Sequence, residues 1–286
     1  MRRPLPGFAR DRAKRLNEGA FCWPEMIPLA RLAAASLVLA SPAAAGTFGA
    51  PPPGLDARLD HLVRAYPMFL AGHSGNWLLL KDGRRYAISD GRTDKSFDEM
   101  IARPDIDDMF YRAYPAGAAP GAPAKDFDPG RVRLEPLFDA MYGDCARGEV
   151  KSRLRSIAWL PRHHGGSVEI TSVNGVDKAL EAVVRELDAL PSRYIRYLVP
   201  NSGTYNCRDV AGSRSRSAHA WGIAIDIDSA QSDYWLWSTR HGNEPVWRNR
   251  IPIEIVRIFE KHGFIWGGAW YHYDTMHFEY RPELLP

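Results

Sequence analysis

The sequence predicts an α+β fold, a small antiparallel sheet with flanking helices, and three observations carry that expectation. Val176, Leu180, Val183, Val184 and Leu187 recur at helical spacing until Pro191 ends the run. Ile223, Ile225 and Ile227 alternate with Gly222, Ala224, Asp226 and Asp228, the period of a strand with one buried face. Helical and strand-like stretches are mixed along the chain, which argues for an α+β domain.

The first element is a leader. Residues 32–40 (LAAASLVLA) form an apolar run behind a basic segment, and residues 41–46 (SPAAAG) supply the small side chains of a signal-peptidase site. Residues 1–45 are therefore expected to be a signal peptide cut after Ala45. Its basic part is long, and Met26 followed by Arg31 would make a more ordinary start than Met1. Arg2 and Arg3 lie far from the apolar run, which disfavours a twin-arginine route. A transmembrane helix needs about 20 apolar residues, and neither this run nor any later one reaches that length. The expectation is an exported protein, periplasmic or secreted, with no membrane span once the leader is removed.

Loss of the leader changes the charge. The whole chain has 37 Lys and Arg against 34 Asp and Glu; residues 1–45 hold seven and three of these, leaving 30 against 31. A near-neutral mature chain gives no reason to expect a nucleic-acid partner. With 45% hydrophobic and 25% charged residues it has the composition of a globular protein able to bury a core without staples. A monomer is expected. Cys22 leaves with the leader, so Cys145 and Cys207 remain as an even pair in an oxidising compartment. A disulfide is the natural reading, and two unrelated buried thiols are the alternative.

Residues 46–130 read as an N-terminal accessory region. Leu55, Leu59, Leu62 and Val63 have helical spacing before Pro67, and Asp82-Gly83 suits a type I′ turn inside a hairpin over residues 76–91. Residues 114–130 are dominated by Pro, Ala and Gly and read as a linker or long surface loop. From residue 131 to the end a second region follows. Leu134, Leu137, Phe138 and Met141 suggest a helix, and residues 156–160 and 167–173 suggest strands. A further helix runs from Pro252 to Gly263 with Ile255, Val256 and Phe259 inward, and a last strand passes through Met276, Phe278 and Tyr280.

Two segments carry chemistry. In residues 217–228 (SAHAWGIAIDID) a strand from Gly222 would turn the isoleucines into the core and Asp226 into a cleft, with Gly222 and Ala224 leaving space and His219 one short turn upstream. In residues 272–279 (HYDTMHFE) a strand that buries Met276 and Phe278 turns His277 towards the same point. Two imidazoles and one carboxylate form an ordinary three-ligand set for catalytic Zn²⁺, with a fourth position left for water. Asp274 is the candidate base, although strict alternation sets it opposite His277 and a bend between them is required. Glu279 shares a strand face with His277 and is placed to orient its ring.

The pattern Ser217-x-His219, Gly222-x-Ala224-x-Asp226 and Asp274-x-x-His277 resembles the metal signature of the zinc D-alanyl-D-alanine carboxypeptidase family, which includes VanY-type enzymes and phage L-alanyl-D-glutamate endopeptidases. The flanking YNCR of residues 205–208 and FIWGGAWYHYDTMHFEY of residues 264–280 are similar to the endopeptidase-like branch, and the resemblance extends from about Asp139 onwards. It implies His219, Asp226 and His277 as zinc ligands, Asp274 as base, Arg208 as the cation beside the tetrahedral oxyanion, and a fold shared with the hedgehog signalling domain. The implied activity is zinc-dependent hydrolysis of peptidoglycan stem peptides, at L-alanyl-D-glutamate or D-alanyl-D-alanine. A non-catalytic zinc-containing module that docks on the cell wall is the rival reading, and a base and an oxyanion cation beside the metal speak against it. Ser217 is expected near the site. His163, His164, His241 and His262 have nothing nearby to complete a site, while His272 is open between a substrate contact and the surface. The tryptophans around the motifs are read as packing, some of them as walls of a peptide groove.

Overall fold

Residues 52–118, 121–163, 166–242 and 244–286 are described by a computed structural model, so the expected signal peptide and His164 lie outside the described residues. All of them fall in the unit Ala45–Pro286. The first helix, α1 (Leu55–Ala65), buries Leu59 and Leu62, and Asp56 and Arg64 stand in its first and last turns, where each charge opposes the helix dipole. An antiparallel meander follows: β1 (Leu70–Ser74), β2 (Trp77–Leu80) and β3 (Arg85–Ala87), in that order across the sheet. The turn at Asp82-Gly83 joins β2 to β3. β1 gave no clear alternation in sequence because its pairing with β2 is irregular between Leu70 and Gly72. The short α2 (Phe97–Ala102) starts on a capping box in which Ser96 and Glu99 bond each other's backbone N–H.

Residues 114–130 contain no helix or strand among those described, yet the segment is anchored. The Tyr114 hydroxyl donates to Glu260 Oε1 at 2.7 Å and accepts the N–H of Trp266 at 3.0 Å, and Asp128 is fully buried. The composition that forbids a regular element thus leaves a loop pinned by a few polar side chains.

The C-terminal half contains α3 (Glu135–Tyr142), the ribbon of β4 (Leu154–Ala158) with β5 (Ser167–Thr171), α4 (Val176–Leu187), β6 (Ala224–Asp226) and a two-residue ribbon of β7 (Arg240–His241) with β8 (Glu244–Pro245). After these come α5 (Ile253–Lys261), β9 (Phe264–Trp266) and β10 (His277–Tyr280). Mixed helices and small antiparallel sheets make this an α+β structure. Among the described residues, pairing is divided among two three-stranded sheets and two ribbons rather than one sheet.

The sheet that matters for chemistry has the order β6-β10-β9, antiparallel throughout. The strand expected over 222–228 is shorter than its alternation suggested. Gly222 adopts φ 66° to close a 3-10 turn over Ala218–Trp221, and a Cβ there would come within 2.8 Å of Leu154 Cδ2. Ile223, Ile225 and Ile227 are nevertheless fully buried. They belong to one hydrophobic cluster that runs from Leu59 and Leu62 in α1 through Leu180 and Phe259 to Phe278, so residues on both sides of position 130 share a core.

Candidate metal centre

Antiparallel register brings the two motif segments together. His277 on β10 stands directly opposite Asp226 on β6, and on the same faces Glu279 stands opposite Ala224. The small Ala224 leaves room above the strand. Residues 203–204 add to the edge of β6, since Asp226 N–H donates to the Gly203 carbonyl at 2.9 Å, and this sets the Thr204 carbonyl beside the 3-10 turn that carries His219.

Three donor atoms converge. Asp226 Oδ1 lies 3.0 Å from His277 Nδ1 and 3.2 Å from His219 Nε2, and the two ring nitrogens are 3.2 Å apart. Metal–ligand bonds of about 2.0 to 2.1 Å around a tetrahedral centre require donor separations of roughly 3.3 Å. The observed triangle therefore fits a divalent transition metal with little adjustment, and the N, N, O donor set suits zinc.

Both tautomers are set from behind. A carbonyl can only accept, so His219 Nδ1–H donates to Thr204 O and leaves Nε2 with its lone pair facing the triangle. His277 uses the other nitrogen: Nε2–H donates to Glu279 Oε2 at 3.1 Å, so Nδ1 faces Asp226 Oδ1 at 3.0 Å, where a proton or a cation can sit between them. Glu279 is itself fully buried and held by Arg133 Nη2 at 2.5 Å and Arg281 Nη1 at 3.1 Å. Arg281 continues to Glu283, which accepts the Tyr66 hydroxyl of the chain just after α1 at 2.6 Å.

The electrostatics follow this wiring. Burial opposes ionisation of Glu279, but the Arg133 charge, the His277 hydrogen bond and Arg281 together hold its carboxyl well below the ordinary range. Burial likewise opposes the Asp226 carboxylate, and the neighbouring His219 and His277 outweigh it and keep the pKa low. Desolvation disfavours a charged His277, yet its bonds to Asp226 and Glu279 push the imidazole up to about 10. Two acidic neighbours thus make this corner a strong binder of positive charge. Asp274 differs. Burial raises it to about 6, with the nearby Asp226 charge adding to the effect, and its Oδ1 is sealed from solvent without a hydrogen-bond partner among the described residues.

The bend required between Asp274 and His277 is present: His277 N–H donates to Asp274 O at 3.2 Å across a turn that ends where β10 begins. Asp274, the three donor residues and Ser217 all line one cavity of about 470 Å³. Arg208 lines its mouth, exposed, with Nη1 donating to the Asp209 carbonyl at 3.2 Å. The loop that carries it is tied by the Cys145–Cys207 disulfide, with Cα atoms 5.6 Å apart, and by Arg216 to Asp139 and Asp144 at 3.2 and 2.7 Å.

Other histidines stay outside the cavity. His272 Nδ1 bonds the buried Asp128 at 2.6 Å, His262 bonds Glu186 at 2.7 Å, His163 faces Asp188 at 3.9 Å and His241 is exposed in β7. Trp221, Trp266 and Trp270 are buried, Trp270 also forming part of the cavity wall, whereas Trp237 is 64% exposed on its rim. A second group of carboxylates, Asp105, Asp107 and Asp108, has a different explanation. The buried Lys95 ammonium already sits on it, 2.7 Å from both Asp105 and Asp108.

Sequence reasoning missed Arg131, Arg133, Thr204 and Tyr234 at this site. Thr204 contributes through its carbonyl, to which side-chain identity is blind, and the two arginines precede the motif by more than 80 positions. Their only signal is alternation around Val132, which is fully buried and turns both arginines to the other side.

A half-buried carboxylate with one sealed oxygen thus stands beside three converging metal-type donors, an arrangement compatible with metal-assisted hydrolysis. A family model described as D-alanyl-D-alanine carboxypeptidase matches residues 211–280 and spans His219, Asp226, Asp274 and His277. The match supports a zinc-peptidase relationship and a hydrolytic, peptidoglycan-related function. Searches of curated proteins and of solved structures find no match to the chain. Among the described residues no helix is long and apolar enough to cross a membrane.

Proposed function

We propose that the chain is a zinc-dependent peptidase that hydrolyses peptide bonds in peptidoglycan stem peptides, at L-alanyl-D-glutamate or D-alanyl-D-alanine. The observation that carries this reading is the 3.0 to 3.2 Å triangle of His219 Nε2, Asp226 Oδ1 and His277 Nδ1 in a cavity that also holds the unpartnered Asp274 carboxylate. These three atoms would hold the ion. Zinc at such a site polarises a carbonyl and lowers the pKa of water towards about 7.

The remaining roles fall to side chains of the chain itself. Asp274, raised to about 6, is poised to take a proton from the attacking water and to pass it to the leaving amine. Thr204 O and Glu279 keep the two imidazoles in the tautomers that present a lone pair. Arg208 is the cation proposed to face the oxyanion, and Ser217 forms the wall beside it. Export by the leader, periplasmic or secreted location, a monomeric state, and an accessory region over residues 46–130 packed on a peptidase region over residues 131–286 complete the proposal. A module that only binds the wall would have no use for the isolated Asp274 carboxylate.

Digestion of purified sacculi with the protein, followed by mass spectrometry of the new termini, tests the function. New L-alanine carboxyl termini or released D-alanine are expected, in wild type and not in His277→Ala. Unchanged sacculi with zinc-loaded protein would exclude it.

A further inference from the structure

We propose that Arg131 receives the carboxylate that the substrate carries on the carbon next to the scissile nitrogen, an inference that rests on the peptidase reading above. Three arginines line the cavity. Arg133 is committed, its Nε and Nη2 both bonded to the Glu279 carboxylate at 3.3 and 2.5 Å. Arg208 is exposed at the mouth. Arg131 is the cation that is both fixed and still able to bind.

Its side chain is 17% exposed and its guanidinium lies 5.7 Å from the centre of the Trp270 ring. Nη1 donates to the His272 carbonyl at 3.3 Å. Nε stands 3.7 Å from the Asp128 carboxylate, too far for a hydrogen bond, and Asp128 already accepts both the N–H and the ring Nδ1–H of His272. Nη2 has no hydrogen-bond partner among the described residues. A guanidinium held by a ring and a carbonyl, with donors left over, is pre-organised for a carboxylate.

The chemistry of the substrate puts a carboxylate there for either bond. In D-alanyl-D-alanine the leaving residue carries its terminal carboxylate on the carbon bonded to the scissile nitrogen. In an L-alanyl-D-glutamate bond whose glutamate continues through its γ-carboxyl, the free α-carboxylate occupies the same position. Asp274 is proposed to deliver a proton to that nitrogen, so the substrate carboxylate comes within a few bonds of Asp274 and is repelled by it. A cation lining the same cavity as Asp274 offsets the repulsion. Arg131 precedes both the matched residues 211–280 and the region of resemblance, so this subsite comes from the segment joining the two halves of the chain.

The test compares substrates differing only in this group: each peptide with the carboxylate free or converted to a carboxamide. Wild type, Arg131→Gln and Arg131→Lys are measured for kcat/KM. Equilibrium binding of the leaving-side products, D-alanine and γ-D-glutamyl-lysine, is measured against their α-carboxamides, with zinc content and thermal melting as folding controls. Wild type is expected to favour the carboxylate by about 10- to 100-fold, the usual weight of a charge-assisted hydrogen bond. Arg131→Gln should bring that ratio close to one, and Arg131→Lys should keep part of it. A wild-type ratio retained in Arg131→Gln overturns the proposal, as does an equal loss on both forms, which is the mark of an oxyanion contact. If no peptide is cleaved but the product-binding ratio is present and depends on Arg131, the peptidase reading fails and the subsite stands.

Discussion

Asp274→Asn separates the roles of the cleft most sharply, because it keeps the side-chain shape and removes the proton acceptor. The Asp274 carboxyl is raised from 3.8 to about 6, first by burial and then by the Asp226 charge. Its folded pKa exceeds its unfolded one, so ionisation opposes folding: the neutral group costs nothing at low pH, and the penalty grows as pH rises through about 6. A shift of about two units corresponds to roughly 3 kcal/mol when fully expressed. Metal-free Asp274→Asn should therefore be more stable than metal-free wild type at pH 8 by about 2 to 3 kcal/mol, with the difference shrinking towards pH 4. Turnover should move the other way, falling by about 10² to 10⁴ while zinc stays bound. Urea denaturation of chelator-treated protein at several pH values, elemental analysis and peptide hydrolysis read the three effects. Loss of zinc in Asp274→Asn would make Asp274 a ligand, and near-normal activity would put the base elsewhere, with Glu279→Gln the next variant to measure. An absence of stabilisation at pH 8 would refute the electrostatic account.

Three further outcomes are expected. His219→Ala and His277→Ala should each lose zinc by elemental analysis of protein purified without added metal, because each removes one corner of the donor triangle. Glu279→Gln leaves the buried Arg133 without its acidic partner, so a loss of about 3 to 5 kcal/mol in denaturant stability is expected together with a roughly 10- to 100-fold weaker zinc affinity in chelator competition. Reduction of Cys145–Cys207 should lower stability by about 2 to 4 kcal/mol, and thiol titration of unfolded, unreduced exported protein should find neither cysteine free.

What could be read from the sequence was set by how local the determinants are. The helix over Val176–Leu187 and the burial of Ile223, Ile225 and Ile227 follow from periodicity, which the chain carries within a dozen residues. The meeting of His219, Asp226 and His277 was accessible because residue chemistry is distinctive and β6 and β10 pair in a register that sets Asp226 against His277. β1 is not legible, since Gly72 and an irregular register break its alternation, and α2, only six residues long, is signalled by nothing but the capping box of Ser96 and Glu99. The outer parts of the site were hidden for another reason. Thr204 acts through backbone, and Arg133 acquires meaning only when the fold sets it against Glu279, 146 positions away.

That long-range pairing bears on what residues 46–130 do. Glu279 holds His277 in its tautomer, and the carboxylate stays ionised in a fully buried position because Arg133 and Arg281 face it. Arg281 is in turn paired with Glu283, and Glu283 accepts the hydroxyl of Tyr66, a fully buried residue of the accessory region. A chain of four buried polar contacts thus runs from the end of α1 to a metal-type donor. In a buried network each group depends on the others, since an unmatched charge costs far more there than at the surface. The same segment supplies Asp128, which anchors His272 and stands behind Arg131. Leu59, Leu62 and Tyr66 share the core of β10, so the region is joined to the site by packing as well as by charge. The region is thus bonded to and packed behind the metal-type site, a link that short ligand motifs do not record.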